Sequence, residues 1–311
     1  MEVINIENIS VLERKTIVTV GMFDGVHCGH RLLLERLLTA AAESGLMPVV
    51  VTFDRHPKVV LSPDSSVSLL STYDERMSLL ESCGVSNVVI VHFDNQTASL
   101  SACHFAEQYL CHKLNMRELV LGYDNQFGCR KNDDFAQLPQ LAQRMGFSIR
   151  RVEPVEMFGV AVSSTKIRKA LAEGDIEKAN AMLGSSYSAS GVVVHGRHVG
   201  TSLGFPTANI KLDDPLKLLP AEGVYALRVR IGDEVFVGMA NLGTQPTFDS
   251  GRVELEVHLI GFEGDLYGRR LTVEFVGKVR DIQTFPSVEL LVSQLRRDMD
   301  VVKSMVELKR C

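Results

Sequence analysis

Two histidines three residues apart, His27 and His30, lie in VTVGMFDGVHCGHRLLLERLL, between a β-branched run and a stretch with helical apolar spacing. Gly21, Gly25 and Gly29 punctuate the turn between them, and glycines let a backbone approach a ligand closely. The first N–H groups of a helix lack partners and form its positive end, so a strand-to-helix turn of this kind suits an anionic phosphate. Within a first helical turn both imidazoles face one cleft, and a phosphate of ATP fits between them. The spacing alone equally suits a structural histidine pair or a fragment of a metal site. Neither a P-loop GxxxxGK(S/T) nor a GxGxxG follows any strand, so the other common nucleotide signatures are missing.

Three more strings have the composition of reactive sites. In SSTKIRKAL, Ser163 or Ser164 can cap a helix, while Lys166 and Arg168 offer cations for the β- and γ-phosphates. In GTSLGFPTANI, Pro206 stiffens the chain, and Thr207 and Asn209 face the same side of an extended segment. A hydroxyl and an amide oxygen are hard ligands that hold Mg²⁺ when ATP supplies the negative charge. The run VELEVHLI alternates strictly, with Glu254, Glu256 and His258 on one face, so a strand can present a carboxylate to a substrate hydroxyl. Taken singly, these strings also read as a helix cap, a turn before a strand, and a solvated strand face. Cys103, His104, Cys111 and His112 are too widely offset on a helix for the short spacings of zinc sites.

The elements that carry these residues change character along the chain. TIVTVG, PVVVTF, NVVIVHF and ELVLG alternate with the amphipathic LLLERLLTAAA, ERMSLLESC and ACHFAEQYLCHKL, which predicts a parallel sheet with helices on both faces. AEGDIEKANAMLG reads as a helix ending on Gly184. Beyond it, residues 185–311 hold 13 of the 24 glycines, between short runs such as GVYALRVRI and EVFVGMANLG. Short strands with glycine turns predict a small antiparallel barrel, and SVELLVSQLRRDMDVVKSMVEL a helix packed on it. The expected division is therefore 1–184 and 185–311.

Composition sets the outer limits. A chain of 311 residues suits two domains, and 45% apolar with 23% charged residues suits a globular protein. A net charge of −5 argues against a nucleic-acid surface, so an anionic ligand has to be held locally. No apolar run approaches the roughly 18 residues of a membrane span, and the start lacks a leader pattern. Six cysteines without a CxxC pair suit free thiols, which together with the absent leader predicts a cytoplasmic location. Association into homo-oligomers stays open.

GMFDGVHCGH resembles the GxFDGxHxGH signature of FAD synthetases within the HxGH nucleotidyltransferases, and SSTKIR that family's SSTxIR segment. TFDRHP is similar to its TFDPHP and LGYDNQFG to its GxDFxFG, with Arg55 in place of a proline and Asn125 in place of an aromatic. The barrel half, with GFPTANI, GVYAL, NLGTQPTF, LEVHL and VRD, resembles bacterial riboflavin kinase, with Thr201 where an arginine is frequent and Arg197 nearby. Together they cover about residues 15 to 300 and point to the bacterial bifunctional riboflavin kinase/FAD synthetase family.

The resemblance implies a Rossmann-like nucleotidyltransferase domain followed by a kinase barrel, which use ATP and Mg²⁺ to convert riboflavin to FMN and FMN to FAD. It gives catalytic roles to His27, His30, Arg168 and Glu256, and metal-binding roles to Thr207 and Asn209. Nucleotide contacts fall to Gly21, Phe23, Asp24, Gly25, Ser163, Ser164, Thr165 and Lys166. Flavin contacts fall to Phe53, His56, Pro57, Asp124, Phe127 and Gly128, and the kinase glycine loop comprises Gly196, Gly200, Gly204 and Pro206.

Overall fold

The β-branched runs of the first part pair as a six-stranded sheet of β1 (Glu2–Asn5), β2 (Thr16–Val20), β3 (Met47–Phe53), β4 (Asn87–Val91), β5 (Met116–Gly122) and β6 (Ser148–Val152). The computed structural model describes residues 1–61, 67–123, 127–128, 135–196, 203–244 and 253–308. Contacts divide the chain into two units, Met1–Ser163 and Ser164–Cys311.

The strands lie in the order β1-β4-β3-β2-β5-β6 and every pair is parallel. Side chains alternate along each strand, so Ile17, Val50, Val88 and Val120 feed one core while Val18, Val49, Val89 and Leu119 feed another. The first core takes Leu33, Leu34 and Leu37 from α1 (Cys28–Ser44) and Met77 and Leu80 from α3 (Tyr73–Ser82). The second takes Phe105 from α5 (Ala102–Phe105), Leu110 from the π-helical stretch that continues it, and Leu138 and Leu141 from α6 (Leu138–Met145). Two faces covered in this way explain why all five residues of β2 are buried. Short helices α2 (Pro57–Leu61) and α4 (Asn95–Ser99) follow β3 and β4, and a hairpin of β7 (Glu156–Met157) and β8 (Val160–Ala161) closes the unit.

This strand order sets the place for a ligand. The chain runs outward from β2 through β3 to β4, then returns to the other side of β2 as β5, so neighbours diverge at the β2/β5 border. In open α/β sheets, ligands bind outside the carboxyl ends of the strands at such a point. The turn Gly21–His27 leaves β2 there.

In the second unit, α7 (Ser164–Ala172) and α8 (Ile176–Leu183) precede a closed antiparallel barrel. Its strands are β9 (Tyr187–Val194), β10 (Ala208–Leu212), β11 (Gly223–Ile231), β12 (Glu234–Thr244), β13 (Val253–Leu259) and β14 (Arg270–Arg280). Gly184 ends α8 in the left-handed region at φ 71°, as the helix stop requires. Asn180 ties α8 to the barrel by donating to the Phe275 carbonyl at 2.8 Å and accepting from the Tyr187 N–H at 2.7 Å. The C-terminal helix α9 (Val288–Leu308) lays Val302 and Val306 on Val224, Ala226, Met239 and Val276 of the barrel's outer face. Asp298 of α9 is only 2% exposed and takes Arg280 in a 2.9 Å ion pair.

The fold class expected from the sequence is the one observed, with one local departure. ACHFAEQYLCHKL is not a continuous α-helix, because α5 passes into a π-helical stretch, Ala106–Lys113. Its wider turn accompanies the packing of Phe105 on Tyr109, ring centroids 5.1 Å apart.

Candidate active sites

The first site is built by the strained turn between β2 and α1. Phe23 (φ 52°) and Val26 (φ 40°) occupy the left-handed region, which is costly for a side chain with a Cβ and most so for a β-branched one. Buried bonds hold the turn in that shape. The Asp24 carboxylate, 3% exposed, accepts from the N–H groups of Leu70 and Ser71 and from the Ser71 hydroxyl, which itself accepts from the Gly25 N–H. Strain maintained by surrounding structure is characteristic of ligand-binding turns.

A second brace comes from Arg76 of α3, 2% exposed. Its guanidinium donates to the Met22 carbonyl at 3.1 Å and the Phe53 carbonyl at 2.6 Å, pinning the turn after β2 to the end of β3. Burial draws its pKa below the ordinary value, against the opposing charges of Asp24, Tyr73 and Asp54. Arg76 was not singled out from sequence, since an arginine in DERMSLL looks like an ordinary solvated helix charge.

The two histidines occupy different positions in the helix start. His27 is the N-cap of α1 rather than a residue of its first turn, and its Nδ1 accepts from the His30 N–H at 3.3 Å. Because Nδ1 is an acceptor, the neutral ring carries its proton on Nε2 and offers a donor there. The His27 ring stacks on that of His30 with centroids 3.7 Å apart, and Phe23 backs His30 at 5.1 Å. Burial lowers the pKa of His30 well below the ordinary imidazole value, and the neighbouring His27 lowers it further. Gly29 permits this stack, since a Cβ there would sit 3.2 Å from the His27 ring. Phe23 itself, 1% exposed, is a core residue supporting His30, not a surface open to a nucleotide.

The remaining predicted residues of the first site divide into those the structure gathers and those it leaves apart. Phe53 and Phe127 join one aromatic cluster through Phe105, at centroid distances of 6.3 and 5.6 Å. Gly128 has φ 90° and abuts α5 so closely that a Cβ would lie 2.4 Å from the Ala102 nitrogen. His56 caps α2 by accepting from the Lys58 N–H at 3.2 Å, with Pro57 as that helix's first residue. Ser163 closes the first unit, while Ser164, Thr165, Lys166 and Arg168 open α7 of the second. Asp124 and Asn125 lie outside the described residues. A pair the sequence did not suggest, His92 and Asp54, meets at 2.6 Å just beyond the adjacent ends of β4 and β3.

The second site lies on the outside of the barrel. Asn209 of β10 is directly opposite Glu256 of β13, and Glu256 is directly opposite Asn241 of β12. Their neighbours Ala208, Ile210, Leu255, Val257, Ala240 and Leu242 are buried, so the three polar residues share the outer face. Thr207 and Pro206 immediately precede β10, and the Pro206 carbonyl meets His258 Nδ1 at 2.8 Å. Thr207 and Pro206 also line a cavity of about 130 Å³ with Val193, Val257, Phe262 and Tyr267. Gly196 is pressed against Asn209, where a Cβ would fall 2.6 Å from the amide carbon. Gly204 is left-handed at φ 79°, whereas Gly200, Arg197 and Thr201 lie outside the described residues.

Fold and sites thus define a two-part transferase: a nucleotidyltransferase-type α/β unit and a kinase-type barrel. An FAD synthetase family model matches residues 10–166, and a riboflavin kinase family model matches residues 183–306. The chain is 36% identical over 301 residues to the bifunctional riboflavin kinase/FMN adenylyltransferase of Pseudomonas fluorescens, covering 96% of each. It is 38% identical over 283 residues to the protein of that name from Escherichia coli K12, covering 91% of this chain and 90% of the relative. A crystal structure described as a macrolide-efflux protein from Streptococcus pneumoniae matches with a TM-score of 0.89 and 32% identity, over 97% of this chain and 99% of the other. The chain belongs to the bifunctional riboflavin kinase/FMN adenylyltransferase family. No helix among the described residues is long and apolar enough to cross a membrane.

Proposed function

We propose that the barrel phosphorylates riboflavin to FMN and that the α/β unit adenylylates FMN to FAD with release of pyrophosphate, both from ATP. The observation that carries this reading is the register that sets Asn209 opposite Glu256, because a ligand for metal-bound phosphate and a general base then stand side by side. Cross-strand partners have Cβ atoms about 4.5 to 5.5 Å apart, so both side chains can reach one reacting centre.

In the kinase step Glu256 orients the riboflavin 5′-hydroxyl and accepts its proton as the oxygen attacks the γ-phosphorus, while the bond from that phosphorus to the β,γ-bridging oxygen breaks and ADP leaves. The donor set fits Mg²⁺: Thr207 and Asn209 supply neutral hard oxygens, and Gly196 leaves the flank of the Asn209 amide without a side chain. When bound there, Mg²⁺ supplies charge neutralisation at the phosphates. The protein's share is positioning and electrostatic stabilisation.

In the adenylyl step the FMN phosphate is already an anionic nucleophile, so no base is required. His27 donates from Nε2 and His30 stands beside it as a second neutral donor, both stabilising the charge that grows on the ATP α-phosphate. Ser163, Ser164, Thr165, Lys166 and Arg168 are assigned to the phosphates on the strength of their motif. The aromatic cluster of Phe53 and Phe127 is the flavin side of the pocket.

The functional division is placed at Gly184, with small-molecule substrates as the partners and the cytoplasm as the location. Incubation with riboflavin, ATP and Mg²⁺ followed by separation of the flavins tests the whole reading. FMN and then FAD are expected, and the absence of both would refute it.

A further inference from the structure

The row that carries the proposed base does not end at Glu256. Around the barrel it runs Val194, Asn209, Glu256, Asn241, Val224, each directly opposite the next across adjacent antiparallel strands. Asparagine is depleted in strands, yet Asn241 sits in β12 among Val237, Met239, Ala240 and Leu242. Its side chain belongs to the outer face, because Ala240 and Leu242 on either side of it are buried.

The two flanks of Asn241 differ in kind. On one side stands Val224, 4% exposed and packed in the cluster that α9 covers with Val302 and Val306, a wall that accepts no hydrogen bond. On the other side, directly opposite in register, stands Glu256, whose carboxylate is a hydrogen-bond acceptor. The opposite flank of Glu256 is Asn209, whose amide is packed against Gly196 and assigned to the metal and phosphate. A base that must turn one oxygen to a substrate hydroxyl is fixed best by a donor on its other oxygen. Asn241 is the cross-strand neighbour placed to give it.

We propose that Asn241 is a positioning residue of the kinase site, which donates to one oxygen of Glu256 and so holds the other toward the ribityl hydroxyl of riboflavin. This rests on the assignment of Glu256 as base. The charged and titratable groups that share this face include Glu254 and His258 on β13 and Lys211 on β10, with Arg228, Arg230 and Glu274 farther along β11 and β14. Farther round the same row, Arg280 of β14 is neutralised by Asp298 of α9.

Three variants test it in the full-length protein, with FAD formation from added FMN as the internal control and thermal unfolding to verify the fold. Asn241→Ala should lower the kinase kcat about tenfold or more while leaving the KM for ATP unchanged, as expected of a group acting through the base. Asn241→Asp sets a second negative charge opposite Glu256, so the acid limb of the kinase kcat/KM profile should move to higher pH. Asn241→Ser, a smaller donor, should retain more activity than Asn241→Ala. In a Glu256→Gln background, Asn241→Ala should make little further difference, because the group it positions has already been removed.

An unmoved acid limb with an unchanged kcat would overturn the proposal, and so would an equal loss in the Glu256→Gln background. A Glu256→Gln variant that keeps its kinase rate would instead remove the assignment of Glu256 itself, whatever the Asn241 variants do. Should the aspartate variant fail to fold, the alanine and serine variants with the double variant decide the matter.

Discussion

The imidazoles of His27 and His30 lie almost parallel, centroids 3.7 Å apart and planes 16° from each other. Two protonated rings cannot share that spacing without strong repulsion, so the stack is a device of neutral donors. Such donors are worth most to charge that appears only in the transition state. His30→Ala should therefore lower FAD synthesis about 10²- to 10³-fold with a much smaller effect on ATP binding. Metal analysis of the same variant separates this from a zinc site, which would lose a stoichiometric metal.

The same stack makes stability depend on pH. The folded-state pKa of His30 is depressed, so between it and the ordinary value near 6.5 the unfolded chain binds more protons than the folded one. Stability from this group is present above about pH 6.5 and is lost as pH falls toward the folded-state pKa. Chemical denaturation from pH 7.5 to 5 should show that decline in the parent and a shallower one in His30→Gln. Equal slopes would remove His30 as the source.

Glu256→Gln should reduce FMN formation to a small residual rate and spare FAD formation from added FMN, because the carboxylate acts only on the riboflavin hydroxyl. Loss of a general base costs about 10² to 10⁴ in rate. An unchanged kinase rate in flavin separations would take Glu256 out of the mechanism.

Arg76→Met removes the donors that tie the Met22 and Phe53 carbonyls together. Buried acceptors left without a donor cost about 1 to 3 kcal/mol each. The variant should unfold at lower denaturant and lose adenylyl activity more than kinase activity. Undiminished FAD synthesis would show that the turn after β2 keeps its shape without this brace.

A fragment beginning at Ser164 should retain riboflavin kinase activity and resist denaturant better than one beginning at Ser185. The longer fragment keeps Asn180, which bonds to both Tyr187 and Phe275. If the shorter fragment is equally stable and active, α7 and α8 are dispensable to the barrel.

Much of this was legible in the chain because period and punctuation agree with burial. The uninterrupted TIVTV run is a strand covered on both faces, the alternating VELEVHL a barrel strand with one face out, and Gly184 the stop of α8. Other features depend on pairing across long separations, which no local pattern encodes. Edge strand β1 is only four residues long and is defined by its partner β4, more than 80 residues away. Arg76 became a brace only through carbonyls 54 and 23 residues distant, and Asn241 gained meaning from its register with Glu256. The cap that His27 forms on the His30 N–H is not suggested by the sequence, where the same spacing reads as a phosphate cleft, a structural histidine pair or part of a metal site.

The ion pair of Arg280 and Asp298, which joins the last barrel strand to α9, constrains how this chain can change over time. With Asp298 2% exposed, replacing either partner alone strands a charge in the interior, a loss of about 3 to 5 kcal/mol, whereas an apolar pair can serve as well. The two positions are thus bound by epistasis: descendants should keep both residues or exchange both, and lineages carrying only one should be rare.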